Sequence, residues 1–218
     1  YLDPSEDLSI TFTGELFEAS GAIELAIDGF FEASGQFAFS TRTVNVEVAA
    51  GDTLTDADLV LLAASQLNGT VGAGGVGFSI SGGSLAVAQI SHDVDPRTFT
   101  AARGRLGTAQ LTGIPGITAT ATDLLFELNQ GSADVLDWGA AVDLDASDGL
   151  GYGDTVDPGQ LLPTPEDLTI GYAESLLQVG GSFSVSIFDF VTADASFVFR
   201  QETADVDVDG DGAADLSG

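Results

Sequence analysis

The densest run of oxygen ligands in this 218-residue chain is Asp207-Val208-Asp209-Gly210-Asp211-Gly212-Ala213-Ala214-Asp215. Carboxylates stand at loop positions 1, 3, 5 and 9, with glycine at position 6, where such a loop turns sharply. Ca²⁺ takes about six to eight hard oxygens, and alternate aspartates in a tight loop supply them. Asp207, Asp209, Asp211 and Asp215 are therefore the expected metal ligands, and Ca²⁺ the expected cofactor. Asp143, Asp145 and Asp148, and Asp93 with Asp95, are thinner clusters of the same kind and read as solvated loops.

Other chemistry is poorly provided for. His92 is the one histidine. Asp93 and Asp95 beside it are sequence neighbours, and no strand–turn–helix context presents a serine nucleophile. With 34 acidic residues a carboxylate pair for glycoside hydrolysis can always be drawn, but nothing singles one out. Trp138 with Tyr152 and Tyr172 offers rings that could stack on a sugar, although one tryptophan near a loop more often plugs a core. Cysteine is absent, which removes disulfides, zinc–thiolate sites and thiol catalysis. The expectation is a protein that is not an enzyme.

Charge narrows the partners. Five basic residues, all arginines, stand against 34 acids, for a net charge of −29. Nucleic acid is excluded as a partner, because phosphate binding needs clustered cations. An anionic membrane surface is disfavoured for the same reason. Such a charge is tolerable in high salt or with divalent ions, which suits a marine, halophilic or calcium-rich setting. Yet 44% of residues are hydrophobic and fourteen are Phe, far from the composition of a disordered acidic tail. The longest aliphatic run is Leu59 to Ala64, so no transmembrane segment is expected.

The elements that must carry these residues repeat. A shift of 160 places Glu6-Asp7-Leu8 on Glu166-Asp167-Leu168 and runs without a gap to Val48 on Val208, with 14 identities in 43 aligned positions. Leu16, Gly21, Ile27, Phe30, Phe37 and Phe39 meet Leu176, Gly181, Ile187, Phe190, Phe197 and Phe199. Residues 1–160 read as one full repeat unit and 161–218 as the first third of the next, a window on a tandem array. Where the second copy has its Asp-rich loop the first has only Asp52, Asp56 and Asp58, so that site is not shared by both.

Val, Ile, Thr, Phe, Ser and Gly dominate, and apolar residues alternate with small polar ones at the strand period. Phe183, Val185 and Ile187 alternate with Ser182, Ser184 and Ser186. The phase slips after Ile27 and after Ile187, which predicts a bulge followed by turns at Ala33-Ser34-Gly35 and Ala193-Asp194-Ala195. Leu59 to Ser91 holds no charged residue and predicts strands buried on both faces or covered by neighbouring strands. A short helix over Asp56 to Gln66 is the alternative there. Leu106 to Thr122 repeats the pattern around a turn at Gly113-Ile114-Pro115-Gly116, and Asp143 to Pro165 is Asp-, Gly- and Pro-rich loop, the expected joint between units. The fold class is all-β: long antiparallel strands in a tandem-repeat, elongated sandwich- or solenoid-like array.

Leu16-Phe17-Glu18-Ala19-Ser20-Gly21, Ser34-Gly35-Gln36-Phe37-Ala38-Phe39 and Leu111-Thr112-Gly113-Ile114-Pro115-Gly116-Ile117 resemble units of very large bacterial secreted and cell-surface repeat proteins, the giant adhesins. The Asp207 loop resembles those of dockerin and thrombospondin type 3 repeats. It departs from the EF-hand in having Gly218 where a bidentate Glu would stand and no flanking helices, which lowers the expected affinity. The resemblance implies an extracellular or cell-surface, bacterial, non-enzymatic role. Two functions are expected from it: a structural repeat of a fibre, filament or stalk whose partners are other copies or neighbouring repeats, or an adhesin-type module holding a glycan or an apolar ligand. In the second, Phe37, Phe39, Phe197 and Phe199 would line an apolar groove.

Overall fold

The computed structural model describes residues 16–27, 30–145 and 151–201. The alternating sequence forms nine strands and, among the described residues, no α-helix. They are β1 (Leu16–Ile27), β2 (Phe31–Ala49), β3 (Asp52–Ala73), β4 (Val76–Ser91), β5 (Phe99–Thr112), β6 (Ile117–Gly131), β7 (Val142–Asp143), β8 (Leu176–Ile187) and β9 (Val191–Gln201). Every pairing is antiparallel, in the order β1-β2-β3-β4-β5-β6-β8-β9. The short β7 pairs with β2 at Asn45 and Val46, beyond the point where β1 stops. The chain is all-β, and its strands are long: the 22 residues of β3 extend about 70 Å at the usual rise per residue. No helix forms over Asp56 to Gln66, which lies inside β3. There Leu59, Leu61 and Ala63 are buried on one side of the sheet while Leu62 points to the other, a split that only the strand period allows.

Two of the turns fall where glycine allows them. Gly74 and Gly75, at φ of 63° and 85°, make the two-residue reversal between β3 and β4 whose twist suits a hairpin. Gly113 and Gly116, at 82° and 75°, bracket the turn between β5 and β6 at its expected place. The phase slip after Ile27 and Ile187 is a different feature from the one the sequence predicts. It is the hairpin turn itself: Phe30 donates its N–H to the Ile27 carbonyl at 2.9 Å and Phe190 to that of Ile187 at 3.0 Å. Ala33-Ser34-Gly35 and Ala193-Asp194-Ala195 run straight on inside β2 and β9. Phe188 and Phe190 are even-numbered because they sit in the loop, and odd parity resumes on β9.

The shift of 160 carries β1 onto β8, and the two hairpins share one register. Phe17 opposite Thr41 and Ile27 opposite Phe31 become Leu177 opposite Gln201 and Ile187 opposite Val191. The repeated hairpins occupy the two outer edges of a single sheet, with β3 to β6 between them.

Halfway along, the four central strands each carry an interruption: Gln66 on β3, Gly82 on β4, Gly107 on β5 and Asp123 on β6 are skipped by the pairing ladder. Gln66, Gly82 and Asp123 have positive φ, at 51°, 69° and 53°. Each central strand changes parity there: β3 shows even-numbered residues to one side before Gln66 and odd-numbered ones after it. One extra residue per strand keeps the same chemical side of the sheet in phase throughout.

The two sides differ. On the first, the half of the sheet near the Ala50-Gly51 hairpin is roofed by the connection 132–175, which includes β7 and a 3₁₀ turn at Pro158–Leu161. Leu136, Trp138, Val142, Val156, Leu162, Leu168 and Ile170 from the roof close on Val44, Leu59, Ala88, Ile90 and Phe99 from the sheet. Asp157 caps the 3₁₀ turn, its carboxylate accepting from the N–H groups of Gly159 and Leu168, both at 3.0 Å. Beyond the roof this side is a Ser and Thr ladder, with Thr70, Ser79, Gln110, Thr120 and Ser184 in successive strands. The second side has no roof among the described residues. Among the described residues the uncharged stretch Leu59 to Ser91 is therefore covered on one side, over half its length, instead of on both: the connection after β6 folds back over only one side. Replacing Trp138 by Ala empties the centre of the roofed core and is expected to cost about 3–5 kcal/mol, read as a lowered thermal midpoint by circular dichroism.

Candidate functional site

Asp207, Asp209, Asp211 and Asp215 lie outside the described residues, as does Asp148. Asp143 is buried and serves the roof: its carboxylate accepts from the N–H groups of Asp145 at 3.1 Å and Gly151 at 3.3 Å. Asp154 accepts from the Leu144 N–H at 2.8 Å. These aspartates replace backbone partners that a loop lacks, as Asx turns do. Among the described residues no three His, Asp or Glu side chains converge as a metal site would require.

His92 is held by its backbone surroundings. Its Nδ1 accepts from the N–H groups of Val94 at 3.2 Å and Asp95 at 3.0 Å, and its Nε2 lies 3.2 Å from the Thr55 carbonyl. That arrangement requires the proton on Nε2 and occupies both nitrogens in closing the loop between β4 and β5. The Asp95 carboxylate turns instead to Arg97, accepting from its Nε at 2.9 Å and its Nη2 at 2.8 Å. Arg97 also donates from Nη1 to Asp52 at 2.6 Å. The result is a clamp that ties the β2–β3 hairpin to the loop after β4. Hydrogen bonds from Arg97, ahead of its charge, hold both carboxyls below the usual carboxylate range, and the two aspartates raise the Arg97 guanidinium further.

Trp138 is fully buried and donates its Nε1–H to Asn129 Oδ1 at 3.0 Å, so its ring faces the core and no sugar. Asn129 in turn donates to the carbonyls of Leu136 at 3.1 Å and Glu174 at 2.9 Å. Tyr152 donates to Thr53 at 3.1 Å and Tyr172 to Glu127 at 3.2 Å. Burial first, then the Glu127 charge, pushes the Tyr172 hydroxyl upward. Arg103 lies opposite Glu127 across the β5–β6 register and donates to the Thr169 carbonyl at 3.3 Å. Next to it Arg105, Asp123 and Glu166 line a cleft of about 420 Å³ where the roof ends.

Among the described residues, the second side of the sheet and the two outer strand edges remain open. Phe37 and Phe199 stand in one row across the strands, with Ala64, Leu85, Gly104, Phe126 and Val179 between them. Phe39 and Phe197 flank that row on the same side, so the four phenylalanines picked out in the sequence share one surface. Phe17 packs edge-on against Phe39, ring centroids 6.1 Å apart. Towards the Gly74-Gly75 end, Phe78 is 48% exposed, and at the β9 edge Phe199 is 55% exposed. From the row of Phe17, Thr41 and Val60 to the far hairpins, no paired residue on this side carries a formal charge; Asp58 lies just below it. The sequence signal for the extent of this side is parity: once the four interruptions are allowed for, each of the eight strands of the path places an uncharged, largely apolar row on it.

A scan against protein-family models, a search of curated proteins and a search of solved structures each found no match to this chain.

Both aspartates of the Arg97 clamp have pKa values depressed on folding, so the clamp stabilises fully above the ordinary carboxylate pKa of about 3.9 and loses that contribution as pH falls through the depressed values. Arg97→Gln is expected to lower the thermal midpoint at pH 7, with the gap to the unsubstituted protein narrowing steadily below pH 4. A gap that stays constant to pH 2 would show that the ion pairs contribute nothing.

Proposed function

We propose that this chain is a structural repeat of an extracellular fibre, filament or surface stalk, in which one sheet continues from unit to unit. The observation that carries this reading is the pairing of β6 with β8. β8 is the repeat counterpart of β1, so the second copy joins the first through a ladder from Ile117 opposite Ile187 to Asn129 opposite Leu176, shifted in register once, between Thr122 and Leu125. Each outer edge of the sheet therefore has a counterpart that is already paired within it. Among the described residues the outer edges of β1 and β9 are unpaired; that of β1 corresponds to the edge of β8 that β6 occupies, and that of β9 to the edge of β2 that β3 occupies.

Direction agrees as well. One unit contributes six strands to the path, β1 to β6, an even number and all antiparallel, so the last strand of one unit meets the first strand of the next in the opposite direction, as β6 meets β8. Head-to-tail addition extends the sheet without breaking its alternation, and such a heterologous contact does not close on itself. An unpaired edge of this length invites a further strand. The partners are other copies or neighbouring repeats of the same protein, and the units can be joined within one chain or between chains.

The likeness of the Leu16–Gly21, Ser34–Phe39 and Leu111–Ile117 segments to giant adhesin repeats supports a bacterial, extracellular or cell-surface setting without catalysis. Ca²⁺ held by Asp207, Asp209, Asp211 and Asp215 stiffens the junction and offsets part of the net charge of −29. A second reading, a module for a glycan or an apolar ligand, draws on Phe37, Phe39, Phe197 and Phe199 sharing one open side. A co-purifying apolar ligand or saturable binding on a glycan array would favour it.

Negative-stain microscopy and light scattering test the first reading. Rods or filaments are expected in calcium, softening or shortening on chelation, and Ser20→Lys with Ala22→Lys in the β1 edge should abolish growth while leaving the β signature intact. Compact particles indifferent both to calcium and to the edge substitutions would overturn it. In a calcium titration, Asp209→Asn with Asp211→Asn should weaken binding by roughly tenfold or more, since two charged ligands are lost.

A further inference from the structure

We infer that the uncharged side of the sheet is an interface, and that its occupant is the same side of a second copy of this chain. The inference builds on the self-associating reading above but concerns a different surface, the open side and not the edges.

Three observations select a second copy. The first is area. Eight strands at the usual spacing span about 34 Å, and strands of the length of β1 and β8 run about 40 Å. The face that results is of order 1,300 Å², above the ~800 Å² per partner of a stable protein interface. The second is charge. In a chain of net charge −29, the rows from Phe17 to the far hairpins present none on this side. Two such faces can meet without bringing like charges together, whereas an anionic lipid surface would find no cation on it.

The third is relief. Ala102 and Gly104 on β5 leave a furrow between Leu85 and Val87 on β4 and Phe126 and Leu128 on β6. Gly104 has no backbone crowding it closer than 3.8 Å, so the furrow is open, with only Leu85 and Phe126 at its walls. Along the same strands Leu106 fills the furrow, with Ala109 beyond it. A ridge beside a furrow is what two copies related by a two-fold axis need in order to interdigitate at the usual sheet separation of about 10 Å. The Ser and Thr ladder on the other side stays in water, and the roofed core is untouched.

The test uses the full chain with Ser20→Lys and Ala22→Lys, so that edge growth is blocked and only the face can associate. Sedimentation is expected to give twice the monomer mass of 22.2 kDa. Phe126→Asp should return it to the monomer mass, raising the dissociation constant roughly a hundredfold or more, as loss of an aromatic anchor in each copy does. Thr120→Asp, on the polar side, should leave the dimer intact, and circular dichroism checks that both variants keep their strands.

Should Phe126→Asp fail to fold, a spin label answers instead, because the chain has no native cysteine. A nitroxide on Leu85→Cys should show dipolar broadening between copies that one on Thr120→Cys lacks. A monomer at high concentration, a dimer unmoved by Phe126→Asp, or equal broadening at both labels would overturn the inference. So would a monomer that binds phosphatidylcholine vesicles through this face. If any of these results is found while filaments still grow with the edges restored, the edge-to-edge array stands and only the face pairing falls.

Discussion

Strands of up to 22 residues make sense only if one chemical side stays on one side of the sheet for their whole length. A slip of one residue moves an entire strand's apolar set to the opposite face. The register holds because β3 to β6 each insert a residue at the same level, whereas the outer strands β1, β8 and β9 alternate straight through it. The backbone conformation there is costly for residues with a Cβ, and Gln66 and Asp123 adopt it at φ of 51° and 53°. Asn68 helps locally, donating to the Gln66 carbonyl at 2.7 Å and accepting from the Gly82 N–H at 3.3 Å. The line of interruptions is thus tied together across strands by side chains as well as by the ladder.

The roof depends on that phase. Its apolar residues meet Leu59, Ala88 and Phe99 only because these fall on one side, and Trp138 sits over them with its one donor satisfied by Asn129. Asn129, near the end of β6, would otherwise be an unpaired polar group in an apolar layer, at a cost of about 1–3 kcal/mol. Three hydrogen bonds to the roof make it a locking point between sheet and connection. Where the roof ends, the apolar requirement on that side ends with it, and Ser and Thr take over.

Much of this was legible in the residues. Alternation of Phe183, Val185 and Ile187 with serines announced strands, and the 160-residue shift found the two hairpins that sit at the two edges of the sheet. The glycine pairs marked the turns at Gly74-Gly75 and Gly113–Gly116. The phase slips were visible but misread, because a three-residue loop and a bulge both reset parity and only the cross-strand partner distinguishes them. The interruption at Gln66 left no signal, since glutamine does not announce positive φ, and that at Asp123 left only a weak one, since aspartate visits that region more often than most residues but marks caps and turns far more often. The half-roofed state of Leu59 to Ser91 was hidden for a related reason. An uncharged strand reads the same whether its side meets a core or stands open, and only the path of the connection decides.

The same separation explains how a net charge of −29 and a broad apolar surface coexist in one chain. Acidic residues of the described part gather in the roof, the loops near the Ala50-Gly51 hairpin and the polar side, where Glu24, Glu32 and Asp194 stand. They repel copies that approach through those surfaces. The uncharged face and the backbone edges are left as the approaches that carry little electrostatic penalty. Charge of this kind therefore directs association: it leaves the sheet's own plane and its apolar side as the open routes, and both lead to an assembly made of sheets.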